Sequence, residues 1–298
     1  MNRRRLVRIW QPILTASFLV LMLLLSACTG ADTPAVLSVP GTPSTPDGAA
    51  NLPTITLAVP RPVQSATLTP LPSPSPTPEF QVCSPLQGIP IDKIAGAITN
   101  PYHPPPPGSD DPHAGIDISD LIPGSQIARP GMPIQAIFPG QVAMAQTDRF
   151  PFGNAILIET PLEQLPPAWV EGLHLPAPLR APPPKSALTC PEGVLKPTWD
   201  ATQRSLYVLY AHMQETPAGK PGEKVTCGES IGKVGKSGNA LNPHLHLEIR
   251  VGPAGARFSS MDHYDNSASL EEMAGYCAWS VSGLFQVIDP LTVLGQGK

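Results

Sequence analysis

Proline is the feature that most constrains how this chain can fold. The 298 residues include 41 prolines, and twelve of them lie between residues 29 and 78 among Ser, Thr and Ala. Proline lacks a backbone donor and interrupts helices and central strands, and this segment has too few apolar side chains to offset the entropy of ordering. We therefore expect a disordered linker over residues 28–82, about 40 Å long as a coil, and one folded domain over residues 83–298.

The residues before the linker predict export. Four arginines precede an apolar run over residues 13–25, which is shorter than the ~20 residues that cross a membrane, so residues 1–27 are predicted to be a signal peptide. Residues 25–28, Leu-Ser-Ala-Cys, resemble the lipobox of bacterial lipoproteins, which implies a diacylated Cys28. The alternative is an ordinary secretory signal with a chance cysteine. Because two acyl chains suffice for stable attachment, we expect a lipid anchor on the extracytoplasmic side of a membrane.

The charge balance excludes some classes of partner. Removal of residues 1–27 takes away four arginines and no acid, which leaves 15 basic and 23 acidic side chains. Nucleic-acid binding needs clustered lysine and arginine, so no nucleic acid is expected. Residues 235–237, Gly-Lys-Ser, resemble the end of a phosphate-binding loop, but Ser230 stands where that motif requires its first glycine. No nucleotide is expected either.

Cysteine usage predicts disulfides. With Cys28 lipidated, Cys83, Cys190, Cys227 and Cys277 remain. Four cysteines in an exported domain form two disulfides with three possible pairings, and none has the C-x-x-C spacing of a cysteine zinc site. Of the three pairings, we favour Cys190 with Cys227 and Cys83 with Cys277.

The pattern of the domain is that of an all-β fold. Short β-branched or aromatic runs bounded by Gly or Pro predict strands, at residues 133–138, 141–144, 155–158, 206–210, 230–234, 245–251 and 285–290. A helix is expected only at residues 270–276. Two segments, at about 161–205 and 252–284, have the character of loop-rich insertions, and we expect both to be surface excursions.

Residues 243–251 alternate strictly between polar and apolar side chains. Positions 244, 246, 248 and 250 share one face of a strand, and the apolar positions between them share the other. We expect the apolar face to pack into the core and Glu248 to be a surface carboxylate, with a hydrogen bond to a neighbouring histidine as the alternative. His244 and His246 lie ~7 Å apart along such a strand, so that one ring could ligate a metal while the other faces a substrate. Alone, this motif is more typical of an ordinary strand with polar residues facing outward.

Two further elements carry chemically suitable side chains. His113 and Asp117 lie on a loop that runs into a strand, and imidazole and carboxylate are both ligands of Zn²⁺. His212 ends the apolar strand at 206–210. Taken singly, the first pair would usually be solvated and the second would usually be a buried histidine bonded to a carbonyl.

Together these motifs resemble a known family, the lysostaphin- and LytM-type zinc metallopeptidases. Its pattern appears in order as His113 and Asp117, then Tyr210-Ala-His212, then His244-Leu-His246. The resemblance covers residues 110–160, 206–251 and 288–291. It implies a mainly β domain, an antiparallel sheet or sandwich of the kind called a duplicated hybrid motif. It also implies one Zn²⁺ per chain, bound by His113, Asp117 and His246, with His212 and His244 as catalytic groups.

The same resemblance implies an endopeptidase that acts on the peptide part of peptidoglycan. Two alternatives remain open. One is a non-catalytic LytM-like module that binds the wall or activates a separate amidase, and the other is a zinc protease with a non-wall protein substrate. All five motif positions are present, which favours catalysis. The two insertions are expected to line the rim of the substrate groove, where they would affect which peptide is preferred.

Overall fold

The computed structural model of the chain describes residues 80–178, 186, 188–196 and 199–295. The predicted signal peptide, Cys28 and almost all of the predicted linker lie outside the described residues. Within the described part, no helix combines the length and the apolar character that a membrane span needs.

The described domain is built on antiparallel β-sheet, as predicted. The strands are β1 (Ile98–Asn100), β2 (Gly115–Ile118), β3 (Pro133–Gln135), β4 (Gly140–Arg149), β5 (Gly153–Pro161), β6 (Asp200–Ala211), β7 (Lys224–Val225), β8 (Ser230–Lys233), β9 (Leu245–Ala254) and β10 (Gln286–Ile288). The large sheet has the order β1-β2-β9-β6-β5-β4-β7, and β3 pairs with β8 in a separate ribbon. β2 and β10 both pair with the side of β9 opposite to β6. β9 is therefore enclosed by neighbours, and the mainly β prediction is confirmed.

Helices are few and short. Two 3₁₀ helices cover Ile91–Ala97 and Leu162–Gln164, and the α-helices are α1 (Pro167–Gly172), α2 (Leu270–Ser280) and α3 (Pro290–Gly295). The predicted helix at 270–276 corresponds to α2, which starts in a capping box: Ser269 Oγ accepts the Glu272 N–H at 3.2 Å, and the Glu272 carboxylate accepts the Ser269 N–H at 2.9 Å. α1 and α3 were not predicted, because six residues are too few to show a helical period.

The large sheet buries both of its faces. Apolar side chains of β9 such as Leu247 and Ile249 pack on one face, together with side chains of the β3–β8 ribbon. The other face is covered by the chain that follows β9, which contributes Phe258, Met261, Tyr276, Trp279 and Phe285. The expectation that residues 252–284 form a surface excursion is therefore wrong. Burial of each of these large apolar side chains stabilises the fold by roughly 1.5–3 kcal/mol. The same side chains cover the sheet face beneath them.

The disulfide pairing favoured from the sequence is also wrong. The structure joins Cys83 to Cys227, with Cα atoms 5.7 Å apart, and Cys190 to Cys277, with Cα atoms 5.9 Å apart. The Cys83 N–H donates to the Ile137 carbonyl at 3.0 Å, and Cys227 Sγ lies 3.3 Å from the same oxygen. Contacts with the same Ile137 carbonyl therefore bring Cys83 and Cys227 together. The second attaches the proline-rich segment between β5 and β6 to α2, so the two predicted insertions are joined to each other.

Candidate metal centre

Two adjacent strands bring the predicted metal ligands together. Asp117 of β2 pairs directly with His246 of β9, and side chains of directly opposed residues lie about 5 Å apart at Cβ. His113 lies on the loop entering β2, with its Nε2 3.1 Å from Asp117 Oδ1 and 3.1 Å from His246 Nδ1. His246 Nδ1 is 3.0 Å from the same Asp117 oxygen. The ligand atoms of all three residues lie within 4.8 Å of one another.

The second ring nitrogen of His113 and of His246, the two predicted imidazole ligands, has a partner of its own. His113 Nδ1 lies 2.9 Å from the Pro101 carbonyl, and His246 Nε2 lies 3.3 Å from Glu248 Oε2. Imidazoles that bind metals usually donate their other N–H to a carbonyl or a carboxylate in this way. Two oriented imidazoles and one carboxylate fit Zn²⁺, and three protein ligands leave a fourth position for water or substrate, as in catalytic sites.

Glu248 is not the surface carboxylate that the sequence led us to expect. Its side chain is 2% exposed and lies between His246 and Arg250, whose Nε donates to Glu248 Oε1. Arg250 Nη1 also donates to the carbonyls of Trp279 at 2.8 Å and Phe285 at 3.0 Å. The expectation failed because α2 and the chain after it cover this face of β9. The alternative that was left open, a hydrogen bond to a neighbouring histidine, is what the structure contains.

Buried charges keep Glu248 ionised. Burial alone would raise the pKa of Glu248, but the positive charge of Arg250 and the hydrogen bond with His246 outweigh it and bring the pKa to about 2. Burial likewise raises the pKa of Asp117, and hydrogen bonds with His113 and His246 hold it well below its usual range. Both carboxylates are therefore negatively charged acceptors at neutral pH.

These carboxylates favour a positive charge between them. Burial lowers the pKa of His246, but its hydrogen bonds to Asp117 and Glu248 raise the pKa to about 9. In the absence of metal the ring therefore holds a proton at neutral pH. A divalent cation supplies positive charge at the same place and displaces that proton. Metal binding at this site therefore competes with protonation of His246.

The two predicted catalytic histidines lie beside the predicted ligands. His212 follows the end of β6 with a left-handed backbone, φ 61°, which is uncommon for residues other than glycine. Its Nδ1 lies 2.8 Å from the Ser237 carbonyl, and His244 Nδ1 lies 2.8 Å from the Asn242 carbonyl. The two rings are 4.7 Å apart at their centroids, and His244 Nε2 is 3.5 Å from Asp117 Oδ1. In both rings Nδ1 is engaged with a carbonyl. Nε2 of His212 has no hydrogen-bond partner among the described residues, whereas Nε2 of His244 faces Asp117.

His212 is held in its neutral form. Burial, followed by the charges of His246 and His244, lowers the pKa of His212 to about 3. A neutral imidazole whose Nδ1–H is donated to a carbonyl presents an unprotonated Nε2. His212 is therefore unprotonated at neutral pH, and Nε2 is the atom that carries the free lone pair.

All five histidine and aspartate side chains line one cleft of about 920 Å³, a volume within the range of known ligand sites. Tyr264, Tyr276 and Ser280, from the second predicted insertion, line the same cleft. The prediction that this insertion lies at the groove is thus met, whereas no described residue of 161–205 lines the cleft.

Some residues of the site were not predicted from the sequence. Asn100 Nδ2 donates to Asp117 Oδ2 at 3.0 Å, and Ser237 orients His212 through its carbonyl. Neither has a sequence signal, because one acts from the short edge strand β1 and the other through its backbone. Arg250 could have been predicted from the sequence, since the alternation of residues 243–251 places it on the same strand face as His246.

Comparison with known proteins gives a family match over part of the chain. Residues 199–258 match the model of Peptidase family M23, a segment that includes His212, His244 and His246.

Three solved structures are similar to parts of the chain. A mutant catalytic domain of the prophage-encoded M23 protein EnpA from Enterococcus faecalis is 24% identical, over 54% of this chain and 85% of that one, with a TM-score of 0.31. The catalytic domain of the antimicrobial peptidase lysostaphin from Staphylococcus simulans is 18% identical, over 69% and 97%, with a TM-score of 0.34. A zinc-containing peptidase from Vibrio cholerae is 19% identical, over 51% of this chain and only 32% of its own, with a TM-score of 0.29.

The family match covers part of the site. The matched segment supplies one of the three predicted ligands and both predicted catalytic histidines, while His113 and Asp117 precede it and reach the site through β2. The resemblance to LytM-type peptidases predicted from the sequence is thus confirmed over residues 199–258, which are similar to Peptidase family M23.

Proposed function

We propose that this protein is a zinc-dependent endopeptidase that hydrolyses peptide bonds in the stems or cross-bridges of peptidoglycan. The observation that carries the proposal is the convergence of His113, Asp117 and His246, with His212 and His244 beside them in one cleft. The match to a peptidase family supports the reaction type, and the resemblance to LytM-type enzymes supports peptidoglycan as the substrate.

In this proposal His113 Nε2, Asp117 Oδ1 and His246 Nδ1 hold one Zn²⁺. The metal supplies polarisation of the scissile carbonyl and a lowered pKa for water. The protein's own contribution is orientation. Pro101 and Glu248 hold the two imidazoles by their second nitrogens, and Asn100 holds the second carboxylate oxygen of Asp117.

Proton transfer is assigned to His212 and His244. Because Nδ1 of each ring is bonded to a carbonyl, Nε2 is the atom that accepts a proton from the attacking water and returns it to the leaving amine. An Nε2–H in the same position donates a hydrogen bond to the developing oxyanion. The low pKa of His212 keeps its Nε2 unprotonated at neutral pH, and it also makes the ring a weak base.

The cellular location is part of the proposal. The basic leader, the short apolar run and the lipobox-like residues 25–28 support an exported chain anchored through Cys28. The linker would then allow a reach of about 40 Å as a coil and up to ~150 Å when extended. Metabolic labelling with a radioactive fatty acid tests this: label and membrane association should be lost together in Cys28→Ala, and a labelled Cys28→Ala chain would contradict the anchor.

Digestion of purified peptidoglycan by the purified full chain tests the activity. Mass spectrometry of the released fragments should show new amino and carboxyl termini inside the peptides. An intact wall that still binds the protein would replace the proposal with a non-catalytic wall-binding module.

Three variants separate the roles of the histidines. His113→Ala should lose zinc and activity together. His212→Ala should keep zinc but lower the cleavage rate by roughly 10²–10⁴-fold, since it removes a proton-transfer group and not a ligand. The matched control is His174→Asn, at an exposed histidine outside the cleft, which should keep both zinc and activity. Loss of zinc in His212→Ala would refute the assignment.

A further inference from the structure

One wall of the cleft is closed by a contact between two distant segments. Tyr264 and Tyr276, from the chain after β9, both donate their hydroxyl to Asp110 Oδ2, at 2.6 and 2.7 Å. Burial, with Asp110 as the next cause, raises the pKa of both tyrosines, so both hydroxyls keep their protons and remain donors. Asp110 lies on the loop that leads to His113, and all of these residues line the cleft. We call Asp110, Tyr264 and Tyr276 the clasp.

The clasp presents aromatic surface to the cleft. Tyr264 is 57% exposed and has a left-handed backbone, φ 69°, which is strained for a bulky residue. Its ring lies 6.4 Å from Phe150 and 6.1 Å from Tyr276, and Tyr276 lies 5.8 Å from Phe152. The clasp hydrogen bond therefore holds an exposed aromatic ring, on a strained backbone, against the cleft.

The same wall carries uncompensated negative charge. Among the described residues that line the cleft, Arg250 is the one lysine or arginine, and it is already paired with Glu248. Asp110 and Asp111 have no ion-pair partner in the described parts of the chain. Both tyrosines bond to Oδ2 of Asp110, and its Oδ1 accepts no hydrogen bond from a described residue. A carboxylate oxygen is therefore left for a donor that enters the cleft.

We infer that the clasp is a specificity element that binds a protonated primary amine of the peptide substrate through Asp110. This inference rests on the proposed function. A carboxylate attracts an ammonium group and repels a carboxylate, and the faces of Tyr264 and Phe150 add cation–π attraction. The amine can come from the amino end of a peptide or from a lysine-like side chain, and the chemistry of recognition is the same for both.

The test compares substrates that differ only in that charge. Soluble peptide fragments of purified peptidoglycan are offered to the full chain before and after acetylation of their primary amines with acetic anhydride. The parent protein should prefer the native fragments, by kcat/KM, about fivefold at low salt, and the preference should shrink at high salt because of screening. Synthetic lysine peptides acetylated at either the α- or the ε-amine then identify which amine is bound.

Two variants assign the preference to the clasp. Asp110→Asn removes the charge but keeps an oxygen that accepts the tyrosine hydroxyls, so the ratio of kcat/KM for native and acetylated fragments should fall toward one. Tyr264→Phe keeps the ring and loses the hydrogen bond, so the ratio should fall part of the way. The control Asp148→Asn removes an equal charge from an exposed residue outside the cleft and should leave the ratio unchanged.

The outcomes separate this inference from the proposed function. Cleavage of both fragment pools by the parent at equal rates, or an unchanged ratio in Asp110→Asn, overturns the clasp inference while the endopeptidase stands. Failure of the parent to cleave either pool overturns the proposed function, and the clasp inference with it.

Discussion

Replacement of Glu248 by glutamine should weaken zinc binding more than the fold. Glu248 is 2% exposed and connects His246 to Arg250. Glutamine keeps the size of the side chain but removes the charge that fixes the Nε2–H of His246 and keeps Nδ1 directed at the metal. Loss of such an orienting partner typically lowers metal affinity by about 10–100-fold. We expect a change of this size in Glu248→Gln.

The cost in stability can be worked out from the contacts of Arg250. Breaking a buried ion pair at one end costs about 3–5 kcal/mol. Arg250 keeps the carbonyls of Trp279 and Phe285 as acceptors and remains 5.0 Å from the centre of the Trp279 ring. The free energy of unfolding of Glu248→Gln should therefore fall by about 3 kcal/mol, near the lower end of that range. Urea unfolding of the zinc-free protein measures it.

A matched control separates the metal effect from the loss of stability. Glu159 is equally buried and accepts hydrogen bonds from Ser205, Gly255 and Arg257, but it does not line the cleft. Glu159→Gln should lose a comparable free energy of unfolding and keep the zinc affinity of the parent, as measured by competition with a chromophoric chelator. Equal loss of zinc affinity in both variants, or parental affinity in Glu248→Gln, would refute the orienting role of Glu248.

Three further predictions concern the fold around the site. Asp262 is fully buried, neither of its carboxylate oxygens is hydrogen-bonded to a described residue, and Arg149 Nη1 lies 3.9 Å from Oδ2. Burial, then Asp265 and Glu272, raise the pKa of Asp262 to about 6. The pKa of an aspartate in the unfolded chain is about 3.9. The contribution of Asp262 to the stability of the fold is therefore greatest below pH 4 and is lost as the pH rises through 6. The free energy of unfolding of Asp262→Asn, relative to that of the parent, should therefore be about 2 kcal/mol higher at pH 8 than at pH 4. Urea titrations at the two pH values measure this, and an equal difference at both would contradict it. Gly153→Ala should destabilise the protein by about 3 kcal/mol and reduce activity, because a Cβ there meets Ser237 at 2.4 Å and φ is 67°; thermal unfolding and the peptidoglycan digest check it. Replacing Cys190 and its partner by serine should cost up to about 4 kcal/mol, since the disulfide closes a separation of 87 residues, and an unchanged urea midpoint would contradict this.

The sequence predicted what is local and periodic. The alternation at 243–251 placed a strand where β9 lies, and the order of the histidine motifs named residues that the structure brings within a few ångströms of one another. Both depend on side-chain types and short spacings, which a sequence displays directly.

What the sequence missed depends on distant packing. Glu248 was expected at the surface because alternation says which face a residue is on and not what covers that face. The favoured disulfide pairing failed for the same reason, since Cys190 meets Cys277 only because α2 packs over the sheet. β6 begins at Asp200, six residues before the predicted strand, because its polar first residues pair with β9 and β-propensity does not reveal a partner.

The Cys83–Cys227 disulfide determines where mechanical load enters the domain. Cys83 precedes all of the described strands and helices and is bonded covalently to the turn before β8. Tension that arrives from the N-terminal side is therefore passed to residue 227 through a covalent bond. This tension does not pass through β1 and β2, two short strands whose few hydrogen bonds to the sheet would otherwise be the first to break. His113 and Asp117 lie in the bypassed stretch, so the ligand geometry is shielded from any pull on the preceding chain.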